Sequence, residues 1–139
     1  MRQAELTRKT GETDITLKIN IDGKGESNID TGCGFLNHML TLFAKHSRVD
    51  LDIKATGDIE VDYHHTVEDV GIALGKAFHD SLFLDADSMK GGRRYGNMIL
   101  PMDEALILTA VDISGRAQQS ELLPMPSSKD GEFVTELVK

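Results

Sequence analysis

A single cysteine, Cys33, is all the chain contains, so no internal disulfide is possible and a cytoplasmic location is expected. No apolar run approaches membrane-spanning length, and no hydrophobic segment of the signal-peptide type follows Met1-Arg2-Gln3-Ala4-Glu5. Positive charge is in deficit. With 15 Lys and Arg against 23 Asp and Glu, the formal net charge of -8 disfavours nonspecific attraction to nucleic acid or an anionic membrane. Strips of basic residues interleaved with aromatics are also missing. A small anionic substrate is still permitted, because a few arginines make a local positive site within an acidic protein.

Two further absences narrow the chemistry. There is no glycine-rich loop of the Walker type, and Gly32-Cys33-Gly34 runs into Phe35-Leu36-Asn37 without completing a dinucleotide fingerprint. Cys33 lies near His38 in sequence, but no third group orients the pair as a nucleophile and its base.

What is present describes one compact domain. The 139 residues are 40% hydrophobic and 27% charged, enough for a sizeable core in a soluble protein. Ile15, Leu17, Ile19 and Ile21 alternate with Thr16, Lys18 and Asn20, which predicts a half-buried strand. Asp22-Gly23-Lys24-Gly25 reads as a turn, followed by a short strand through Ile29. Phe35, Met39, Leu42 and Phe43 have helical spacing up to about His46. Val49, Leu51, Ile53 and Ala55 return to period two, ending at Gly57-Asp58, with Ile59 and Val61 as a short continuation. Val67, Val70, Leu74, Ala77, Phe78 and Leu82 then predict an amphipathic helix from about Thr66 to Leu84.

A loop over Asp85 to Gly92 precedes strands at Met98–Leu100, interrupted by Pro101, and at Ala105–Ile113. Gly115 to Gly131, with Pro124 and Pro126, reads as a connection, and Phe133 to Lys139 opens a pattern that stops almost at once. The order favours an α+β layer, with helices on one face of a largely antiparallel sheet.

The densest chemistry is Asp62-Tyr63-His64-His65-Thr66-Val67-Glu68-Asp69, where alternation gives way to helical spacing. His64 and Glu68 are four apart and His65 and Glu68 three apart, so either pair shares a helix face. Adjacent histidines diverge by about 100° and so can present their rings to separate metal centres. The plainer alternative is a helix start with two surface histidines. His38 falls in the first helix as either a ligand or a buried core histidine, and His46 at its end suits the C-terminal dipole. His79 reads as structural or surface. Imidazole and carboxylate donors suit manganese, iron or zinc.

Glu12, in Arg8-Lys9-Thr10-Gly11-Glu12-Thr13, is either a solvated turn residue or a proton carrier. Arg93, Arg94 and Arg116 are surface residues or forks for phosphate oxygens, and Asp103-Glu104 reads as a turn or strand edge.

Read together, these blocks resemble the bacterial imidazoleglycerol-phosphate dehydratase family of histidine biosynthesis. The matching segments are Arg8 to Thr13, Thr31-Gly32-Cys33-Gly34-Phe35-Leu36-Asn37-His38-Met39-Leu40 and Gly57 to Asp69. They continue through Arg94-Tyr95-Gly96, Pro101 to Leu106 and Asp112-Ile113-Ser114-Gly115-Arg116. They occur in family order across essentially all 139 residues.

The resemblance implies a duplicated fold, with residues 1–90 as a first βαβα-like half and 91–139 as the opening strands of a second. It implies a dimanganese site to which His38, His64, His65 and Glu68 contribute, with Glu12, His65 and Glu68 in the chemistry. Glu12, His38, His46, His64, His65, Arg94 and Arg116 are then the substrate contacts. The implied reaction removes water from imidazoleglycerol phosphate to give imidazole-acetol phosphate. The implied assembly is a large homo-oligomer with active sites shared between subunits, without nucleic-acid or membrane partners.

A later histidine, a second His-His-x-x-Glu block and a lysine-bearing substrate region of the family pattern do not occur in this sequence, so it is expected to be C-terminally truncated. The alternatives are accordingly a catalytically incomplete metal-binding or assembly fragment and, less favoured, a His/Glu metallohydrolase. Tyr63 stands where the family usually has an acidic residue.

Overall fold

The computed structural model describes residues 1–83 and 92–114. Six strands and two helices follow in the order β1 (Gln3–Lys9), β2 (Thr13–Asn20), β3 (Ser27–Asp30), α1 (Gly34–Ser47), β4 (Asp50–Gly57), α2 (His64–Leu82), β5 (Tyr95–Met102) and β6 (Ala105–Asp112). The first four strands form one sheet in the order β1-β2-β4-β3, and β5 and β6 form a separate hairpin. The α+β class expected from the sequence is the observed one. The sheet is antiparallel except for β3, which runs parallel to β4. That exception follows from the crossover, since a strand-helix-strand return through α1 brings the second strand back in the same direction.

Strict alternation on β2 and β4 builds the core. Ile15, Leu17 and Ile19 face inward beside Leu51, Ile53 and Ala55, all 6% exposed or less. The opposite face carries cross-strand charge pairs, Glu5 with Lys18 at 3.3 Å and Lys9 with Asp14 at 2.6 Å. Helix α2 covers β1, β2 and β4 through Val67, Val70, Ala73 and Ala77, while α1 lies over β3 and β4 through Leu36, Leu40 and Ala44. The expected stripe on α1 is displaced. Phe35, Met39 and Phe43 lie on the outer side, because the sheet takes the smaller Leu36, Leu40 and Ala44 and that row closes against β4.

Four features depart from the sequence expectation. Strand β1 had no predicted counterpart, although Ala4, Leu6 and Arg8 alternate inward along it. Ile59 and Val61 do not continue β4. Val61 donates its N–H to the Asp58 carbonyl at 2.8 Å, closing a turn that reverses the chain. Helix α2 consequently begins at His64, two residues earlier than expected, with the His64 N–H donated to Asp62 Oδ1 at 2.8 Å. Pro101 does not interrupt β5. It sits opposite Leu106 at the turn end of the hairpin, where among the described residues no third strand calls on the N–H that proline lacks. Both strands of that hairpin are exposed along their whole length.

Gly57, the last residue of β4, decides how closely α2 approaches the sheet. A Cβ there would overlap Thr66 Oγ1 in the first turn of α2 and lie 3.3 Å from Thr66 Cβ and 3.4 Å from Thr13 Cγ2. Thr66 is fully buried, so it has nowhere to retreat. Gly57→Ala is therefore expected to destabilise the domain by about 2 kcal/mol, the usual scale of overpacking. Adding Thr66→Ala to it should recover most of the loss. A double-mutant cycle in urea with additive costs would show that this contact is not the cause.

Candidate active site

Two sequence blocks far apart in the chain meet at one buried carboxylate. Asp69 lies on the inward row of α2 with Thr66, Val70, Ala73 and Ala77, and is 8% exposed. A carboxylate placed there needs partners, or it would shed its charge. Arg8 supplies Nε at 2.8 Å and Nη2 at 2.7 Å, both on Oδ1. On Oδ2 the Thr13 and Thr10 hydroxyls donate, the latter at 3.2 Å. Burial alone would raise the Asp69 pKa, but the bonds from Thr13 and Arg8, the guanidinium charge and Thr10 together hold it below the usual carboxylate range. Three residues of the Arg8–Thr13 block are thereby clamped to the helix that carries the histidine pair.

The clamp fixes the β1–β2 turn at Gly11-Glu12. Thr10 donates its backbone N–H to the Thr13 carbonyl at 2.9 Å, and its hydroxyl oxygen accepts the Glu12 and Thr13 N–H groups at 3.2 and 3.0 Å. Glu12 is exposed on this turn, beside a shallow groove of about 350 Å³ whose other wall is Thr56, Gly57, Asp58 and Glu60.

Asp58 of that wall is bonded to α2, with His65 Nδ1 2.9 Å from Asp58 Oδ2. The bond to Asp58 is the main reason the His65 imidazole is held above its ordinary pKa, and the charges of Asp58, Glu12 and Asp62 act in the same direction. Glu12 and His65 are thus electrostatic neighbours, 53 positions apart in sequence.

His64 and Glu68 pair across one helical turn, Nε2 to Oε2 at 3.4 Å. The adjacent rings of His64 and His65 are 5.7 Å apart between centroids and inclined at 80°. Both rings belong to the first turn of α2.

Other expected residues lie elsewhere. His38 and His46 are exposed on α1, so the alternative of a buried His38 is not what the fold makes of it. His79 is an exposed residue beside Asp80, as a surface role requires. Arg94, at the start of the hairpin, spends its fork on Asp112, Nε to Oδ1 at 2.6 Å and Nη2 to Oδ2 at 3.1 Å, and stacks 5.1 Å from the Tyr95 ring centre. Arg116 lies outside the described residues, as do all but the last residue of the loop expected from Asp85 to Gly92 and the connection and closing segment after residue 114.

Neutral imidazoles and a carboxylate are donors of the right kind for a divalent cation of the manganese, iron or zinc class. Among the described residues, however, no three or more His, Cys, Asp and Glu side chains are gathered at one point. His64 with Glu68, and His65 separately, can each supply part of a coordination sphere.

Asp58 and Asp69 were not singled out from the sequence. For Asp69 a signal was there, since a carboxylate on the inward row of an amphipathic helix demands a cation. For Asp58 there was none, because its partner is set by the turn over 58–61.

The model of the imidazoleglycerol-phosphate dehydratase family matches residues 31–139. An imidazoleglycerol-phosphate dehydratase of Acetivibrio thermocellus is 56% identical over 138 residues, covering 99% of this chain and 69% of that protein. One from Methanocella arvoryzae is 52% identical over 139 residues, covering 100% of this chain and 70% of the relative. Among solved structures, the Staphylococcus aureus enzyme superposes with a TM-score of 0.69 at 35% identity, covering 98% of this chain and 77% of that one. No helix among the described residues is long and apolar enough to cross a membrane. The chain belongs to the imidazoleglycerol-phosphate dehydratase family.

Proposed function

We propose that this chain provides residues for the dehydration of imidazoleglycerol phosphate to imidazole-acetol phosphate, a carbon-oxygen lyase step of histidine biosynthesis. The observation that carries the reading is the clamp at Asp69, which ties the turn bearing Glu12 to α2, the helix that opens with His64, His65 and Glu68. Family membership names the reaction, and the clamp supports these residues as its instruments.

The proton lost from carbon in this reaction is not next to a carbonyl, so the imidazole ring itself must act as the electron sink. The ring N–H proton and the hydroxyl on the adjoining carbon leave as water, giving a diazafulvene-like intermediate. The proton on the next carbon is then removed and one is returned to the ring nitrogen, which yields an enol that becomes the ketone. His64, His65 and Glu68, with His38 from α1, would hold two manganese ions. Bound manganese stabilises the ring in its anionic form. Glu12 moves a proton at the reacting carbons, and His65 and Glu68 orient the ring against it. His46 lines the pocket, and Arg116 takes the phosphate end through its fork, joined by Arg94 when its own fork exchanges Asp112 for the phosphate.

A homo-oligomer in which a second subunit completes each site is consistent with the described residues, where His64 and Glu68 meet as a pair of donors. A cytoplasmic location suits a small phosphorylated substrate, with neither nucleic acid nor membrane as partner.

Manganese-dependent turnover of imidazoleglycerol phosphate by the purified protein tests the reading, with formation of imidazole-acetol phosphate as the expected result. Release of inorganic phosphate without dehydration would point to a metallohydrolase instead. Manganese binding and assembly without either product would mark an assembly fragment. Glu12→Gln is expected to lower kcat by about a hundredfold, the lower range for a lost acid-base group. Manganese affinity measured by calorimetry should stay unchanged in that variant, since Glu12 is not among the donors.

A further inference from the structure

Asp58 is an awkward residue for stability. One carboxylate oxygen bonds His65, and the other, Oδ1, is buried without a hydrogen-bond partner among the described residues. A buried acceptor left unpaired costs free energy, so packing alone gives no reason for a carboxylate at this point. Its one bond does have a chemical consequence. A neutral imidazole has one N–H and one lone pair, and a carboxylate can only accept. Facing Asp58 Oδ2 at 2.9 Å, Nδ1 must therefore carry the hydrogen, which leaves the lone pair on Nε2. His64 has no such arrangement, because there it is Nε2 that faces a carboxylate, Glu68, at 3.4 Å.

Both partners of the Asp58–His65 bond are delivered by rigid elements. Asp58 directly follows β4, and His65 is the second residue of α2, whose first turn rests on Gly57 through the buried Thr66. The Asp58 side chain is 23% exposed and that of His65 is 43% exposed, so the carboxylate forms the inner end of the pair and the free nitrogen the outer end. We infer that Asp58 is a positioning residue that locks His65 in the Nδ1–H tautomer and so aims the Nε2 lone pair outward as a ligand for a divalent cation. The tautomer lock stands on the geometry alone, while the cation rests on the proposed function. A carboxylate behind a ligating imidazole orients the ring and makes it a better donor.

The test is a long-range nitrogen–proton spectrum of the imidazole rings in the metal-free full chain at alkaline pH, with His65 assigned by its absence in His65→Ala. Wild type is expected to show a protonated Nδ1 and an unprotonated Nε2 at His65. Asp58→Ala should return His65 toward the Nε2–H form that free imidazole side chains prefer, and Mn2+ affinity by calorimetry should fall about 10- to 100-fold. Asp58→Asn keeps the shape if the alanine variant folds poorly, and should also lose Nδ1–H population because the amide can donate as well as accept. An Nε2–H tautomer in wild type, or an unaltered His65 spectrum in both variants, would overturn the proposal. The expected tautomers with no Mn2+ binding in any variant would leave Asp58 as the positioning residue and remove the metal from the proposed function.

Discussion

Alanine at His65 is expected to lower manganese-dependent conversion of imidazoleglycerol phosphate by about ten-thousandfold in kcat/KM, or ~5 kcal/mol of transition-state stabilisation. The size follows from what the residue does at once. It occupies the first turn of α2 with His64 and Glu68, it is tied to Asp58, and it is the imidazole that feels the charge of Glu12. On the proposed function, removing it deletes a ligand to manganese and the imidazole on which the charge of Glu12 acts together. Mn2+ titration of the same variant should show weakened binding, whereas Glu12→Gln should not. Full turnover by His65→Ala in protein of verified sequence would remove the first turn of α2 from the chemistry.

The largest expected effect on stability belongs to Asp69→Ala. The substitution removes the Arg8 fork and the two threonine hydrogen bonds from a site that is 8% exposed. Bonds to a charged, mostly buried group contribute more than neutral ones, so a loss of about 3 kcal/mol is expected, with Tm falling by roughly 10 °C. The effect should depend on pH in a fixed sense. The folded-state pKa of Asp69 lies below its unfolded value. Its contribution is therefore fully present above about pH 4, the ordinary range for Asp, and is lost as pH falls through the folded value. Urea unfolding of both proteins should show the widest gap near neutrality and a narrowing gap in acid. A gap independent of pH would mean that shape, not charge, is what Asp69 contributes. Glu12 should also become less effective in this variant, because the turn that carries it loses its anchor.

Arg8 illustrates what one residue's neighbours reveal only in three dimensions. In sequence it is a basic residue before a turn, while in the fold it is the inward-facing end of β1 and the counter-ion of α2. β1 went unpredicted because its alternation is weak, with Ala4 and Leu6 only half-buried at the edge of the sheet. The α1 stripe was displaced because both sides of that helix are apolar. Periodicity reports that a helix is amphipathic and cannot rank two apolar rows. Ile59 and Val61 misled for a related reason, since alternation over two residues does not outweigh a turn closed by a backbone hydrogen bond.

The sequence by itself determined the α+β class, the strands β2 and β4, the two helices and the pairing of His64 with Glu68, because period and spacing are local properties that a rigid helix or strand converts directly into geometry. Its ordered blocks likewise determined the family. Only the tertiary structure decided that the charge of Glu12 acts on His65, that Asp69 clamps the two blocks together and that Asp58 faces Nδ1. Those contacts join residues seven to 61 positions apart, counting Asp58 to His65 and Arg8 to Asp69. Their geometry is set by how strand ends, a reversing turn and a helix pack around a shared core, which no local spacing encodes.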